Sequence, residues 1–537
     1  MSSPQHISIA TDNGRNDFWQ RLEGITPLVV FRILFGLVVA FGAVRFMTEG
    51  WIETLLVEPD FFFSFWGFGW IPRPNRIVAY ALYGLITASA VAVSLGYRYR
   101  WSLAILLFSF TYAELLDATN YLNHYYLVVL LTILMLFTPA HRAFSMDVRS
   151  GRVKQQLKVP KWHRHVLMLQ LALVYIFAGL AKVDSDWLLE AMPMAIWLPE
   201  RAHYPIVGQL LKQPWVAFVL SWAGCLYDLT IVAFLLWRPT RKWAYAAVIV
   251  FHMMTWSLFN IGLFPLIMMT STLLFFNPKE QQDFLNRIRY RLLSWRYRGE
   301  MFLEEVVLWN SHPELRAAGI WSSAGVWNTQ HIEENSNMKP DQGQVPVLCS
   351  EHVTVAKPSK IIKTCSEHLT VAALNTSQKN QRNLLGGSSL TASFLAFYFL
   401  IQLVLPLRTL AYPGPAAWGE EGYRFGWRVM LVEKAGNATF TVTDKATGRR
   451  AEVNNQDYLT PYQEKQMAIQ PDFILQFAKH VATDFETRHL FVDPIVNVES
   501  FVALNGRRSR RLINLNSDLA AEENGLSPKP WILPFER

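Results

Sequence analysis

A lysine at the end of a long apolar run is the first residue in this sequence that could do chemistry. Lys182 ends a run long enough to be buried in a membrane, where an ionisable side chain is costly and usually has a function. A lysine kept out of water as the neutral amine can act as a base near neutral pH. Tyr175 and Gly179 share roughly its helical face and leave room for a ligand. The alternative is an interface lysine that pairs with Asp184 or Asp186.

A second cluster of polar residues lies where two apolar runs meet. It comprises Glu114, Asp117, Asn120, Asn123 and His124. A continuous helix over 101–138 would be too long for a bilayer, so the pattern predicts a break near 118–123. A broken helix with polar side chains is tolerated only where it lines a cavity or is buried in protein. His124 is therefore either part of a site or a core histidine with its hydrogen bonds satisfied.

A third candidate position is His252, which shares a helical face with Trp256 and Asn260. The Met and Trp residues nearby suit an apolar ring or chain as a ligand, but they also suit ordinary packing. Phosphate loops, dinucleotide fingerprints and the usual hydrolase and metalloprotease motifs do not occur. A repeated Cys-His pair at 349–352 and 365–368 matches no zinc-finger spacing, so we expect no metal and interpret the repeat as a local duplication in a flexible linker.

The composition favours a membrane protein. Of 537 residues, 51% are hydrophobic and 17% are charged, whereas soluble domains carry roughly 25% charged residues. The net charge of +8 lies largely in the segments that follow every second apolar run. This distribution predicts that the basic segments lie in the cytoplasm and contact anionic lipids, and it does not indicate nucleic-acid binding.

The apolar runs predict a polytopic α-helical membrane protein with about eight to nine spans and a C-terminal extramembrane α+β domain. The runs lie at 26–47, 77–96, 101–117, 124–138, 165–182, 215–237, 243–259, 261–276 and 391–411. The predicted parts are a cytoplasmic N-terminus (1–25), a transmembrane helical domain (26–276), a cytoplasmic segment with a flexible linker (277–390), a last transmembrane helix (391–411) and an extracytoplasmic domain (412–537).

The C-terminal segment changes to the pattern of a folded α+β domain. Alternating residues predict strands over 438–444 and 498–504, with turns at Gly448 and at Asn505-Gly506. Residues 463–485 read as one amphipathic helix. With basic segments on the cytoplasmic side, this domain is expected outside the cytoplasm.

Several blocks of the sequence resemble the vitamin K-dependent gamma-glutamyl carboxylase family, including its bacterial relatives with a horizontally transferred transmembrane domain. The blocks are LDAT at 116–119 with NHYYL at 123–127, VYIFAGLAKVDSDW at 174–187, FHMMTWSLFNIGLF at 251–264, Trp418, GYRFGWRVM at 422–430 and ALNGR at 503–507. The block that contains Lys182 is the most specific of them.

This resemblance implies a definite chemistry. The family oxidises a reduced vitamin K, of the menaquinol or phylloquinol type, with O2 to its epoxide, and needs no metal. The oxygenated alkoxide then removes a proton from the γ-carbon of a glutamate in a protein or peptide acceptor, and CO2 adds. By resemblance, Lys182 is the base that deprotonates the quinol, and His124 with Asn123 assists at the quinol. His252, Tyr175, Trp256 and Asn260 are then expected to line the quinone pocket.

Two other functions remain open from the sequence. The chain could oxygenate a quinol without carboxylating protein, or it could be a non-catalytic membrane scaffold. The expected location is the bacterial inner membrane, with the N-terminus in the cytoplasm and the C-terminal domain outside.

Overall fold

The computed structural model describes residues 20–259, 261–291 and 389–536. It has a helix at each of the nine predicted apolar runs. We label these helices α1 Thr26–Thr48, α2 Arg76–Leu95, α3 Tyr99–Leu115, α4 Asn123–Leu136, α5 Trp162–Ala181, α6 Pro214–Leu236, α7 Arg241–Leu258, α8 Phe264–Thr272 and α9 Ser389–Leu407.

Shorter elements connect these helices. They are a π-helical turn at Glu53–Val57, 3-10 turns at Ala118–Asn120, Leu273–Phe275 and Arg408–Ala411, and short helices at Met146–Arg149, Ser185–Leu188, Met194–Glu200, Gly208–Leu211 and Ala416–Gly419. Strands β1 (Leu22–Gly24) and β2 (Lys158–Pro160) pair antiparallel. Residues 279–291 are helical and belong to a separate unit of the chain.

Within the described ranges, five helices are long and apolar enough to cross a membrane. They are Thr26–Thr48, Arg76–Leu95, Trp162–Ala181, Pro214–Leu236 and Leu390–Ala411. A chain with several such helices is a multi-pass α-helical membrane protein, as the sequence predicted. The shorter apolar helices pack among these five, and the total of eight to nine crossings stays a prediction.

The predicted break between α3 and α4 is confirmed. Helix α3 ends at Leu115, a 3-10 turn follows, and α4 begins at Asn123. Asp117 stabilises the turn because its carboxylate accepts hydrogen bonds from the backbone N–H and the hydroxyl of Thr119, and from Nε2 of Gln463 in the C-terminal domain. The break also means that the polar residues from Glu114 to His124 do not form one helical stripe.

The C-terminal part is an α+β domain built on a four-stranded antiparallel sheet. The strands are β3 Lys434–Asp444, β4 Arg450–Glu452, β5 Pro494–Leu504 and β6 Arg510–Arg511, in the order β4-β3-β5-β6. Strands β3 and β5 pair over their full lengths, from Lys434 opposite Leu504 to Asp444 opposite Pro494. Alternate residues of β5 are buried, as expected for a strand with one face on the core.

Two helices cover this sheet where the sequence predicted one over 463–485. They are α10 (Pro461–Met467) and α11 (Pro471–Thr487). The prediction of a single helix was wrong because Pro471 has no backbone N–H to continue α10 and instead begins the second helix. Helix α11 buries Phe473, Phe477 and Val481 on one face, and this face packs on the sheet through Phe440, 4.8 Å from Phe477 between ring centroids.

Candidate functional site

Lys182 lies directly after α5 and forms a buried ion pair with a residue of α6. Its Nζ is 2.8 Å from Oδ2 of Asp228 and 3.3 Å from the carbonyl oxygen of Ala178. The side chains of Lys182 and Asp228 are only 7% and 8% exposed. Pairing with Asp184 or Asp186, the alternative that the sequence left open, is therefore wrong. The ion pair lies between α5 and α6. Asp184 instead lies at the start of the next short helix, where its carboxylate accepts a hydrogen bond from the backbone N–H of Asp186.

Gly179 allows the two helices to approach closely enough to form this pair. A Cβ atom at Gly179 would lie 2.8 Å from Cδ2 and 2.9 Å from the backbone N of Leu229, the neighbour of Asp228. Contacts this short do not occur between real side chains, so a larger residue would separate α5 from α6. The glycine thus sets the distance between the lysine and its carboxylate.

The ion pair opens onto an apolar cavity between the helices. The lining includes Val174, Tyr175, Ala178, Lys182, Trp187, Met194, Leu220, Gly224, Asp228, Phe251, His252, Met254, Thr255, Leu258, Phe259, Ile261, Phe264, Met268, Val429 and Met430. The enclosed space is about 60 Å³. Four of the lining residues are methionines, whose unbranched side chains change rotamer readily to admit a ligand.

His252 and Tyr175 form a polar group on the wall of this cavity. Nε2 of His252 is 3.3 Å from the hydroxyl oxygen of Tyr175, and the two side chains are 1% and 2% exposed. Nδ1 of His252 has no hydrogen-bond partner in the part of the chain that the structure describes. An unpaired buried ring nitrogen beside a cavity is where a polar atom of a ligand would bind.

His124 and His252 both pack against Phe264. The ring centroid of His124 is 6.2 Å from that of Phe264, which in turn is 5.9 Å from the His252 ring. His124 is 5% exposed and its Nε2 is also unpaired within the described residues. It is not among the residues that line the cavity. Gly262 packs closely on its ring, since a Cβ there would lie 3.4 Å from Nε2.

Asn123 connects the membrane helices to the segment that closes the cavity. Its Oδ1 accepts a hydrogen bond from the Tyr121 hydroxyl at 3.0 Å, and its Nδ2 donates one to the carbonyl oxygen of Arg428 at 3.2 Å. The next two residues, Val429 and Met430, line the cavity. Asn123 therefore positions the cavity wall and is not itself in the cavity.

The wall segment has an unusual backbone. Phe425, Trp427 and Met430 have φ angles of 63°, 56° and 58°, a left-handed conformation that is uncommon for residues other than glycine. Such conformations persist only where the surroundings hold them and are frequent at functional sites. Here Trp427 is fully buried and stacks on Tyr126 with ring centroids 5.2 Å apart.

Trp256, a predicted pocket residue, is 37% exposed and does not line the cavity. Asn260 and the repeat at 349–372 lie outside the described residues. Sequence reasoning missed Asp228 and the wall formed by Val429 and Met430. An acidic residue within the apolar run 215–237 was a signal for Asp228 that a search for intramembrane charges would have found.

The described ranges contain no group of three or more His, Cys, Asp and Glu side chains that could hold a metal ion. The chemistry available at the cavity is that of an amine, a carboxylate, an imidazole and a phenol in apolar surroundings. This combination suits proton transfer to or from a flat apolar ligand.

The fold and site define a multi-pass helical membrane protein that has a buried lysine–carboxylate pair on an enclosed cavity and an α+β domain packed over it. Two family models match the chain: the HTTM domain over residues 21–279 and the lumenal domain of vitamin K-dependent gamma-carboxylase over residues 387–537. The chain therefore belongs to the vitamin K-dependent gamma-glutamyl carboxylase family, which supports a vitamin K-dependent carboxylase-like function. No solved structure matches the chain.

Proposed function

We propose that this protein oxidises a reduced vitamin K with O2 and couples the reaction to carboxylation of glutamate side chains by CO2. The observation that supports this proposal best is the Lys182–Asp228 ion pair on an apolar cavity. When bound, the quinol supplies, on oxidation by O2, a base strong enough to remove a proton from the γ-carbon of glutamate. Family membership makes this ligand the expected one.

The residues of the cavity fit a quinol. Aromatic and aliphatic side chains would contact its ring, and the unpaired Nδ1 of His252 would bind one of its two hydroxyl groups. Lys182 would face the other. Because the cavity of about 60 Å³ is smaller than a two-ring quinol, the methionine side chains would turn aside on binding.

The ion pair can take up the proton of a hydroxyl group. In the resting pair one proton is shared between Nζ of Lys182 and Oδ2 of Asp228, and the pair is neutral. When the ligand O–H bond breaks, the proton joins the pair, which becomes an ammonium beside a neutral carboxylic acid. This net positive charge lies next to the negative charge left behind, so the site as a whole stays neutral and avoids the high cost of an isolated charge in apolar surroundings.

The apolar lining serves the later step by excluding water. Val429 and Met430 cover the cavity from the side of the C-terminal domain, so a carbanion formed nearby would meet few competing protons. His124 would assist next to Phe264, and Asn123 would hold the wall segment in place through the Arg428 carbonyl.

We propose the inner membrane of a bacterium as the location, with the N-terminus in the cytoplasm and the α+β domain outside. The support comes from the basic segments that follow every second apolar run, since such segments remain in the cytoplasm.

The test is an assay of the purified protein in detergent with reduced vitamin K, O2, labelled bicarbonate and a glutamate-containing peptide. Epoxide and fixed label are measured separately, and we expect both, with both lost in Lys182→Ala. Lys212→Ala is the control, because Lys212 is exposed and should be dispensable. Epoxide without label would instead show a quinol epoxidase. If neither product forms where a known carboxylase is active, the protein is a scaffold and the proposal is wrong.

A further inference from the structure

A second, polar cavity lies beside the apolar one. Its volume is about 240 Å³, enough for a glutamate side chain, and its lining includes Asp184, Asp186, Tyr423, Arg428 and Asn505. It shares Trp187 with the apolar cavity, and Ala181, the neighbour of Lys182, also lines it. The Lys182 Nζ is 5.4 Å from the centroid of the Trp187 ring. The Trp187 indole therefore borders both the Lys182 side chain and the polar cavity.

A single stretch of chain supplies walls to both cavities. Arg428, Leu431 and Val432 line the polar cavity, whereas Val429 and Met430 line the apolar one. The backbone is left-handed at Trp427 and Met430, within and next to this stretch. A ligand bound by Arg428 would therefore lie close to the quinol cavity, because the next two residues of the chain form a wall of that cavity.

Arg428 stands out among the basic residues around it because it lacks an acidic partner. Its guanidinium donates a hydrogen bond to the Thr409 hydroxyl at 3.4 Å, and no carboxylate in the described ranges lies within ion-pair distance. By contrast, Arg424 pairs with Asp472 at 2.5 Å and Lys434 pairs with Glu420 at 2.9 Å. Burial lowers the pKa of Arg428, against smaller opposing effects of Tyr423 and Asp184. A half-buried guanidinium without a carboxylate has most of its donors available.

We infer that Arg428 binds the side-chain carboxylate of the glutamate acceptor in the polar cavity. The inference rests on the proposed function and assigns the acceptor half of that reaction. A guanidinium matches a carboxylate with two parallel hydrogen bonds and so fixes the direction of the side chain. The γ-carbon would then lie on the side of Trp187 and the quinol cavity.

The same contact would favour the chemical step. When the γ C–H bond breaks, the proton passes to the base that quinol oxidation supplies. The electron pair left on the γ-carbon delocalises into the carboxylate before it forms the new bond to CO2. The charge next to Arg428 therefore increases in the transition state, and a fixed cation stabilises it there more than in the ground state.

The two acidic residues of the cavity act differently. Asp186 is neutralised by Arg507, whose nitrogens lie 2.7 and 2.9 Å from its two oxygens, and by Asn505 at 2.9 Å. Asp184 accepts a hydrogen bond only from the backbone N–H of Asp186 among the described residues and has no basic partner there. Its repulsion should weaken acceptor binding, so Asp184→Asn, which can still accept that N–H bond, should strengthen it.

The test uses the full-length protein in detergent and a short blocked peptide that contains one glutamate, with the glutamine peptide as the reference ligand. Calorimetric titration measures binding in the absence of turnover, and label fixation measures the KM for the peptide. We expect Arg428→Gln to weaken glutamate-peptide binding roughly 10- to 100-fold, the loss expected for a charged hydrogen-bonded pair. Arg428→Lys should lose less, and Asp184→Asn should bind more tightly than the wild type.

The control is Arg510→Gln, which removes the same charge from an exposed ion pair of the same domain and should leave binding unchanged. An unchanged midpoint of thermal unfolding in detergent for Arg428→Gln shows that the variant is folded. Equal binding of the glutamate and glutamine peptides, or unchanged binding in Arg428→Gln, would overturn the inference. Carboxylation with an unaltered KM in Arg428→Gln would refute this site and leave the proposed function intact. Peptide binding that depends on Arg428, without carboxylation, would support this site and refute the proposed function.

Discussion

Lys182 and Asp228 meet across two membrane helices, with Nζ and Oδ2 2.8 Å apart and both side chains almost fully buried. Neither residue can be understood alone. Desolvating either charge by itself would cost several kcal/mol, so each is tolerated because of the other. Their shared proton is also what makes the pair a proton acceptor, because a lone buried ammonium could only donate.

Substitutions of the two residues of this pair should therefore have distinguishable effects on the rate of quinol oxidation and on the free energy of unfolding. We expect Asp228→Asn to lower the initial rate of quinol oxidation by about 10²- to 10⁴-fold, the range for loss of general base catalysis. Lys182→Ala should lower the free energy of unfolding by about 3–5 kcal/mol, since it leaves a buried carboxylate unpaired. Lys182→Met with Asp228→Leu should regain stability without activity. Epoxide formation and thermal unfolding in detergent are the measurements, and a fully active Asp228→Asn protein would contradict this role.

Gly179 should tolerate no larger residue. Gly179→Ala forces α5 away from α6, and such overpacking costs about 1–3 kcal/mol, while the Lys182–Asp228 distance increases. We expect a lower melting temperature together with a lower rate of epoxide formation. Gly84→Ala on α2 is the matched control, because no atom lies within 4 Å of a Cβ at that position. Equal behaviour of the two variants would show that the close approach of the helices is unimportant.

The ion pair between Arg507 and Asp186 should contribute to holding the α+β domain on the membrane helices. It is bidentate, and the two side chains are 22% and 16% exposed. In a double-mutant cycle with Arg507→Ala and Asp186→Ala we expect a coupling free energy of about 1–3 kcal/mol. The exposed pair Arg510–Glu536 should give less than about 1 kcal/mol. Thermal unfolding of the four proteins of each cycle provides the values, and equal coupling in both cycles would disprove the assignment.

The stability of the C-terminal domain should fall in mild acid because of His480. This residue of α11 stacks on Phe61 at 4.4 Å and has Tyr458 at its edge. Burial lowers its pKa below the usual value, with Arg73 acting in the same direction and Asp484 against it. The imidazole therefore binds a proton more readily in the unfolded chain than in the folded protein. The contribution of neutral His480 to the free energy of unfolding is complete above about pH 6.5 and is lost as the pH falls below that value.

His480→Phe keeps the ring contact and removes the titration. We expect the melting temperature of the wild type to fall more between pH 7 and pH 5, roughly the interval in which histidine titrates, than that of this variant. His489→Gln is the control, since His489 is exposed in the same domain. Parallel pH profiles for the wild type and His480→Phe would exclude His480 as the cause.

Local sequence patterns were sufficient for much of the fold. Continuous apolar runs located the membrane helices, and the alternation around Phe440 and Val498 located the central strands. The helix over 463–485 was misassigned because amphipathic periodicity continues through the break, and only Pro471 marked it. Periodicity reports which face is buried, but not whether the backbone hydrogen bonds are continuous.

The site was harder to predict because its parts are distant in sequence. Lys182 was found from its position in an apolar run, but its partner is 46 residues away on the next long helix. Near neighbours such as Asp184 were the obvious candidates. The cavity wall at Val429 and Met430 comes from another domain and consists of ordinary apolar residues. No local pattern distinguishes such residues from core packing, since only the tertiary structure brings them to the site.

The origin of that wall has a consequence for biosynthesis. A ribosome produces Lys182 well before residues 429–430, so for a time the nascent chain contains the proposed base while the cavity is still open on this side. Water can then reach the amine, and the reaction with oxygen gains no dry compartment. The enzyme would become competent only when its last domain has docked, so that quinol is not consumed before an acceptor can be held.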